Sequence, residues 1–267
     1  MELFECHLQD KNVMEITAKC NKLETLKFIE CYDSTFNHRM APLAYSRFEK
    51  LKRLEFKRNS LGSTDPLISI FKDSTESLKE LVINQNFNRI VRNSRNRARV
   101  DSALIEFIGL YCQNLHYLEI FITQNVILQW SDALKLLSNL KTLFVIVKGL
   151  SNDDEFWINT AINLPSSLTE LIIFNEFDSF NNILNWFMKN CKIHLEVLQL
   201  LGNDVEPKGI EYIVDYYYEF CSLKQLILNE YDYSLKREIL MYVQDLFRVC
   251  PIGISIENQR HSSFITP

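Results

Sequence analysis

Glycine and proline are scarce in this chain, six of each in 267 residues. A loop-rich all-β fold draws its turns from those residues, and flexible linkers are built from them, so neither is expected. No uncharged apolar run reaches 18 residues, the length needed to cross a bilayer. No basic stretch followed by an apolar one marks a secretory leader, and no N-x-[ST] acceptor occurs. These absences point to an intracellular chain, cytoplasmic or nuclear, with no membrane partner. The seven cysteines, Cys6, Cys20, Cys31, Cys112, Cys191, Cys221 and Cys250, are odd in number and never spaced C-x-x-C. A disulfide framework and a zinc site are therefore not expected; buried free thiols are. G-x-S-x-G, H-E-x-x-H and phosphate-loop motifs are missing, and His7, His38, His116, His194 and His261 fall at unrelated positions. No enzyme, no cofactor and no metal is expected. A net charge of -5 gives no global basic field to draw the whole chain to nucleic acid.

What the chain does have is apolar residues, 47% of it, set in a period. The pattern L-x-x-L-x-L begins at Leu23, Leu26, Phe28 and returns at Leu51, Leu54, Phe56 and at Leu78, Leu81, Ile83. It continues at Leu115, Leu118, Ile120, at Leu140, Leu143, Val145 and at Leu168, Leu171, Ile173. Leu195, Leu198, Leu200 and Leu223, Leu226, Leu228 complete it. Successive first leucines are 28, 27, 37, 25, 28, 27 and 28 residues apart. Leu3, Cys6, Leu8 and Ile252, Ile254, Ile256 read as degenerate terminal units. Fixed periods of this length mark repeats that cannot bury their apolar face singly and must stack.

Between the leucine segments lie helix-like stretches. Ser63-Thr64-Asp65-Pro66 is a helix-start signature, and Leu67, Ile70 and Phe71 follow at helical spacing. Residues 103–111, 132–137, 182–189, 209–220 and 235–247 read likewise. Asp153-Asp154-Glu155 suits a helix N-terminus, where the dipole favours negative charge. The expected fold is therefore α/β: a leucine-rich repeat solenoid, or horseshoe, with a parallel concave sheet and convex helices. Residues 1–267 form one domain of about eight clear repeats with worn ends. In such repeats an Asn or Cys at the ninth position bonds free backbone in the turn leaving the strand. Cys31, Asn59, Asn86 and Asn203 stand there, Thr123 is a tolerable substitute, and Lys148, Glu176 and Tyr231 predict irregular turns.

Cysteines close several helices just ahead of the next leucine segment: Cys20 before Leu23, Cys112 before Leu115, Cys191 before Leu195 and Cys221 before Leu223. Helix, cysteine, short turn and leucine segment together resemble the cysteine-containing leucine-rich repeats of F-box proteins. The resemblance spans roughly residues 1–256 and concerns the repeat region only, since no L-P-x-E-hydrophobic block precedes Leu3. It implies a non-enzymatic protein–protein interaction module that recruits substrate to an SCF-type ubiquitin ligase, with ligase components among its partners. A repeat-only scaffold or regulator unrelated to ubiquitin stays open as an alternative.

The alternate strand residues point into the groove of a solenoid. In the first three repeats these are Thr25, Lys27, Ile29, Arg53, Glu55, Lys57, Glu80, Val82 and Asn84, mostly polar. In the next five, nine of fifteen are apolar: Tyr117, Phe121, Phe144, Ile146, Ile172, Phe174, Val197, Leu201 and Ile227. Contiguous apolar surface marks interfaces and aromatics anchor them, so these nine are the expected partner-binding residues. The long 37-residue spacing holds an insertion at about 84–100 carrying Arg89, Arg92, Arg95, Arg97 and Arg99. It suits an acidic or phosphate ligand, and an RNA- or phospholigand-binding solenoid is the third reading. Aromatic interleaving is too sparse there for a single-strand platform, so nucleic acid is not the expected partner. The chain is expected to be a monomer.

Overall fold

Each L-x-x-L-x-L segment folds as one short strand because its apolar residues recur with the period of two that a half-buried strand requires. The computed structural model describes residues 19–20, 22–29, 41–45, 47–57, 65–84, 102–150, 152–175, 180–202, 205–229 and 253–257. The chain divides into two compact units, residues 1–141 and 142–267.

In the first unit, strands β1 (Thr25–Ile29), β2 (Arg53–Lys57), β3 (Glu80–Asn84) and β4 (Tyr117–Ile122) lie side by side in chain order. All are parallel, and the motif positions match in register: Leu26 meets Leu54, Leu54 meets Leu81, and Leu81 meets Leu118. These leucines form one wholly buried row; Phe28, Phe56, Ile83 and Ile120 form a second, with the Phe28 and Phe56 rings stacked at 4.7 Å. A short 3-10 turn, Ala41–Tyr45, precedes β2. Helices α1 (Asp65–Asp73), α2 (Ser102–Tyr111) and α3 (Ile127–Leu136) supply the rest of the core through Leu67, Ile70, Phe71, Leu104, Ile108, Trp130 and Leu134. Helices α2 and α3 touch backbone to backbone at Gly109, where a Cβ would stand 2.8 Å from the Ala133 Cα.

The second unit holds β5 (Thr142–Val147), β6 (Glu170–Asn175), β7 (Val197–Gly202), β8 (Gln225–Asn229) and β9 (Gly253–Glu257), again parallel and in order. Leu143, Leu171, Leu198, Leu226 and Ile254 are in register, so Ile254 and Ile256 take the leucine positions of β9. Helices α4 (Asp154–Ile162), α5 (Phe180–Asn190) and α6 (Pro207–Phe220) pack buried Trp157, Phe187 and Ile213 into its core. Asp153 caps α4, its carboxylate accepting the Phe156 N–H at 2.9 Å. Pro207 begins α6, where its missing N–H costs no helical bond.

A parallel sheet needs a helical crossover between strands, and the alternation of β and α is the fold expected. Boundaries differ in places. Helix α3 starts at Ile127 rather than Asp132, because the 3-10 turn Gln124–Val126 runs straight into it and Val126 and Trp130 are buried at helical spacing. Phe180, buried, brings the start of α5 forward by two residues. Thr123 does not act as an Asn substitute: its Oγ1 is buried with no hydrogen-bond partner. The turn at Lys148-Gly149 is irregular, with Gly149 at φ 71°. Leu3 to Leu8, residues 235–247, Cys31, Asn59, Asn86, Asn203, Glu176 and Tyr231 lie outside the described residues.

Candidate functional site

In each unit one set of alternate strand residues faces the core, and the other set lines the opposite, open face of the sheet. On the open face of the first unit the register makes three rows: Thr25, Arg53, Glu80 and Tyr117; Lys27, Glu55, Val82 and Glu119; and Ile29, Lys57 and Asn84. The middle row is enclosed by the rows on either side, so Glu55, Val82 and Glu119 are buried despite facing away from the core. Their partners show how the charges are held. Glu55 receives Lys57 Nζ at 2.9 Å and Arg53 Nη2 at 3.2 Å, and Arg53 also pairs with Glu80. Burial pushes the Glu55 carboxyl up, but Lys57 and Arg53 outweigh it and hold the group below its ordinary value. Glu119 accepts from Asn84 Nδ2 at 2.7 Å and more weakly from the Tyr117 hydroxyl at 3.3 Å. Here burial prevails, helped by the charge of Glu55, and the Glu119 carboxyl titrates above its ordinary range although Lys57 and both hydrogen bonds pull the other way.

The second unit's open face is built differently. Thr142, Glu170, Val197 and Gln225 form its first row, and Phe144, Ile172, Gln199 and Ile227 its second. Ile146, Phe174 and Leu201 form the third. Glu170 is the one ionisable side chain among these eleven residues of β5 to β8, and it is occupied: it accepts from Thr142 Oγ1 at 2.9 Å and from Gln199 Nε2 at 3.2 Å. Ladder neighbours cover one another. Phe144, Ile146, Leu201 and Ile227 are buried, whereas Ile172, Phe174 and Val197 are half-buried and supply the accessible apolar surface. In the first unit Tyr117 and Phe121 are half-buried as well.

The nine apolar residues expected from sequence to meet a partner are thus all on open sheet faces, two in the first unit and seven in the second. Arg89, Arg92, Arg95, Arg97 and Arg99 lie outside the described residues, as do His7, His38 and His261. His116 and His194 are exposed, each beside a strand-starting leucine in a different unit. Among the described residues no group of three or more His, Cys, Asp or Glu could hold a metal ion, and no helix is long and apolar enough to cross a membrane. Cys112 and Cys191 are buried, Cys20 is half-buried and Cys221 exposed; burial pushes the Cys191 thiol to about 11 and the Cys112 thiol higher still.

Two features escape a sequence reading. One is the burial of Glu55 and Glu119, which depends on lateral neighbours. The other is Tyr216 of α6. Most leucine segments begin with a first-leucine N–H bonded to a carbonyl three residues back, as Leu23 to Cys20, Leu51 to Phe48, Leu115 to Cys112 and Leu168 to Pro165, all within 3.0–3.1 Å. Between Cys191 and Leu195 there is one residue more. The Tyr216 hydroxyl fills that turn, accepting the Leu195 N–H at 2.9 Å and donating to the Ile193 carbonyl. The four-residue spacing was the signal that could have revealed it.

No protein-family model matches the chain, and no curated protein matches it in sequence. Among solved structures, the chain is similar to the leucine-rich repeat-containing protein LegL7 from Legionella pneumophila, at 14% identity. The match covers 97% of this chain and 91% of that one, with a TM-score of 0.51. In-register leucine rows, strand–helix alternation and this likeness agree: the chain has the α/β leucine-rich repeat fold.

Proposed function

We propose that the chain is a non-enzymatic recognition module that binds a protein partner on the open faces of its sheets. The observation carrying this reading is the second unit's apolar rows, where half-buried Ile172 and Phe174 stand beside buried Phe144 and Leu201 on neighbouring strands, with half-buried Val197 in the first row. Rigid parallel strands present these side chains with little freedom left to lose, which favours binding. Tyr117 and Phe121 offer a smaller aromatic patch in the first unit. The finer reading is substrate recruitment to an SCF-type ubiquitin ligase. Cys112 and Cys191, buried at the ends of α2 and α5, support it through the resemblance to F-box repeats.

Affinity capture from cells followed by mass spectrometry tests both levels. A protein captured by the parent chain should be lost with Phe121→Asp combined with Phe174→Asp, the far-UV circular dichroism staying unchanged. Undiminished capture would remove the open faces as the binding site. Cullin-ligase components in the captured set support the ubiquitin role; a reproducible set without them favours the scaffold reading.

A further inference from the structure

Glu55 and Glu119 are the two buried carboxylates among the described residues, and both stand in the middle row of the first unit's open face. They differ in what meets them. Glu55 is held by two cations, Lys57 at 2.9 Å and Arg53 at 3.2 Å. Glu119 is met by neutral donors, the Asn84 amide at 2.7 Å and the Tyr117 hydroxyl at 3.3 Å. None of the first unit's ion pairs among the described residues includes it, and the Lys57 ammonium that attracts it from a distance is bonded to Glu55.

A carboxylate that is 5% exposed and lacks a paired cation is costly to keep. The two hydrogen bonds offset only part of that cost, so the group titrates above its ordinary range. Repeat geometry does not demand a carboxylate here: the same motif position holds Val82 on β3, Phe144 on β5 and Ile172 on β6. Glu170, the other open-face carboxylate met by neutral donors, is half-buried, so water reaches it. The surroundings of Glu119 are of one kind. Side chains alternate along β4, which puts Tyr117 and Phe121 on its face, two residues before and two after. Each stands roughly 7 Å along the strand from it. Both rings are half-buried and keep part of their surface on the open face.

We propose that the Tyr117, Glu119 and Phe121 face of β4 seats an arginine side chain of the partner protein. The inference rests on the open faces being binding surfaces and adds what the partner brings to the first unit. A guanidinium forks onto carboxylate oxygens and stacks on aromatic rings, which an ammonium does less well. It is also more weakly hydrated, so it gives up water more readily to reach a buried oxygen. Once seated, it supplies the cation that Glu119 lacks. The same carboxylate repels a phosphate or a nucleic-acid backbone.

The test uses single-residue probes on the full chain: N-acetylarginine methylamide, its lysine counterpart, and N-acetylcitrulline methylamide, which keeps arginine's shape without its charge. Amide resonances of Tyr117, Glu119 and Phe121 should shift and saturate with the arginine probe on the order of millimolar concentrations. The lysine probe should bind more weakly and the citrulline probe should not saturate. Glu119→Gln should weaken the arginine probe roughly tenfold or more, and Phe121→Leu a few-fold. Asp132→Asn, on the exposed side of α3, should change nothing. No saturable shift, equal binding of citrulline, or undiminished binding by the Glu119→Gln variant would each overturn the proposal. Capture of a cellular partner separates this from the broader reading. A partner lost with Phe174→Asp but retained with Glu119→Gln leaves the open faces as binding surfaces and removes the arginine seat. A partner retained by both variants and by Phe121→Asp removes the open faces themselves.

Discussion

Glu119 is a carboxyl placed where the native fold favours its neutral form, and Glu55, two strands away, is one placed where the fold favours its charge. Their opposite shifts separate their effects on stability. Between the ordinary value of 4.5 and the raised native value, folded Glu119 holds more proton than unfolded Glu119. Its contribution is therefore complete below 4.5 and is lost as pH rises through the native value. Glu55 contributes fully above 4.5, and its share is lost as pH falls through its lowered native value. Glu119→Gln removes the first dependence and keeps an acceptor for the Asn84 amide. Urea unfolding of the variant should show stability gaining on the parent as pH rises from 4.5 to neutrality, and differing less at 4.5. Parallel curves would show that Glu119 carries no uncompensated burial. Alternation in the sequence identified both residues as outward-facing. Their burial was not legible, because it comes from side chains on adjacent strands and from the rows above and below, which no local pattern records.

The strands were legible because one elementary rule places them: apolar residues two apart, preceded by a leucine three back, repeated until the rows match. Helix starts were less so. Buried Val126, Trp130 and Phe180 extend α3 and α5 beyond the segments that the sequence singles out, since burial against the sheet decides how far an apolar helix face continues. Junctions were the least legible. Gly202 ends β7 at φ 118°, and a Cβ there would stand 2.0 Å from the Asn175 carbonyl oxygen of β6, so this rung admits glycine alone. The turn from α5 to β7 depends on a hydroxyl from α6, across 21 residues to Leu195. Tyr216→Phe keeps the ring and deletes that hydroxyl, leaving the Leu195 N–H and the Ile193 carbonyl buried and unpaired. The expected loss is about 1–3 kcal/mol, seen as a lower melting temperature and as faster hydrogen exchange at the Leu195 amide. A variant as stable as the parent would show that the turn finds other partners.

At the scale of the whole molecule, the leucine rows make stability a property of stacked neighbours. Leu200 is wholly buried on β7, in register with Ile173 of β6 and Leu228 of β8. None of these three strands encloses its own leucines; each relies on the strand beside it and the helix behind it. Leu200→Ala removes buried methyl groups and leaves a cavity, a loss of about 2–5 kcal/mol. In a globular core such a loss lowers protection broadly. In a repeat stack the disturbance passes from rung to rung, and each interface attenuates it. Native-state hydrogen exchange should accordingly show the largest loss of protection in β7, a smaller one in β6 and β8, and the least in β5 and β9. A uniform loss from β5 to β9 would mean that the second unit unfolds as one cooperative block. In that case the half-buried patch of Ile172, Phe174 and Val197 would be held by the unit as a whole rather than by its nearest rungs.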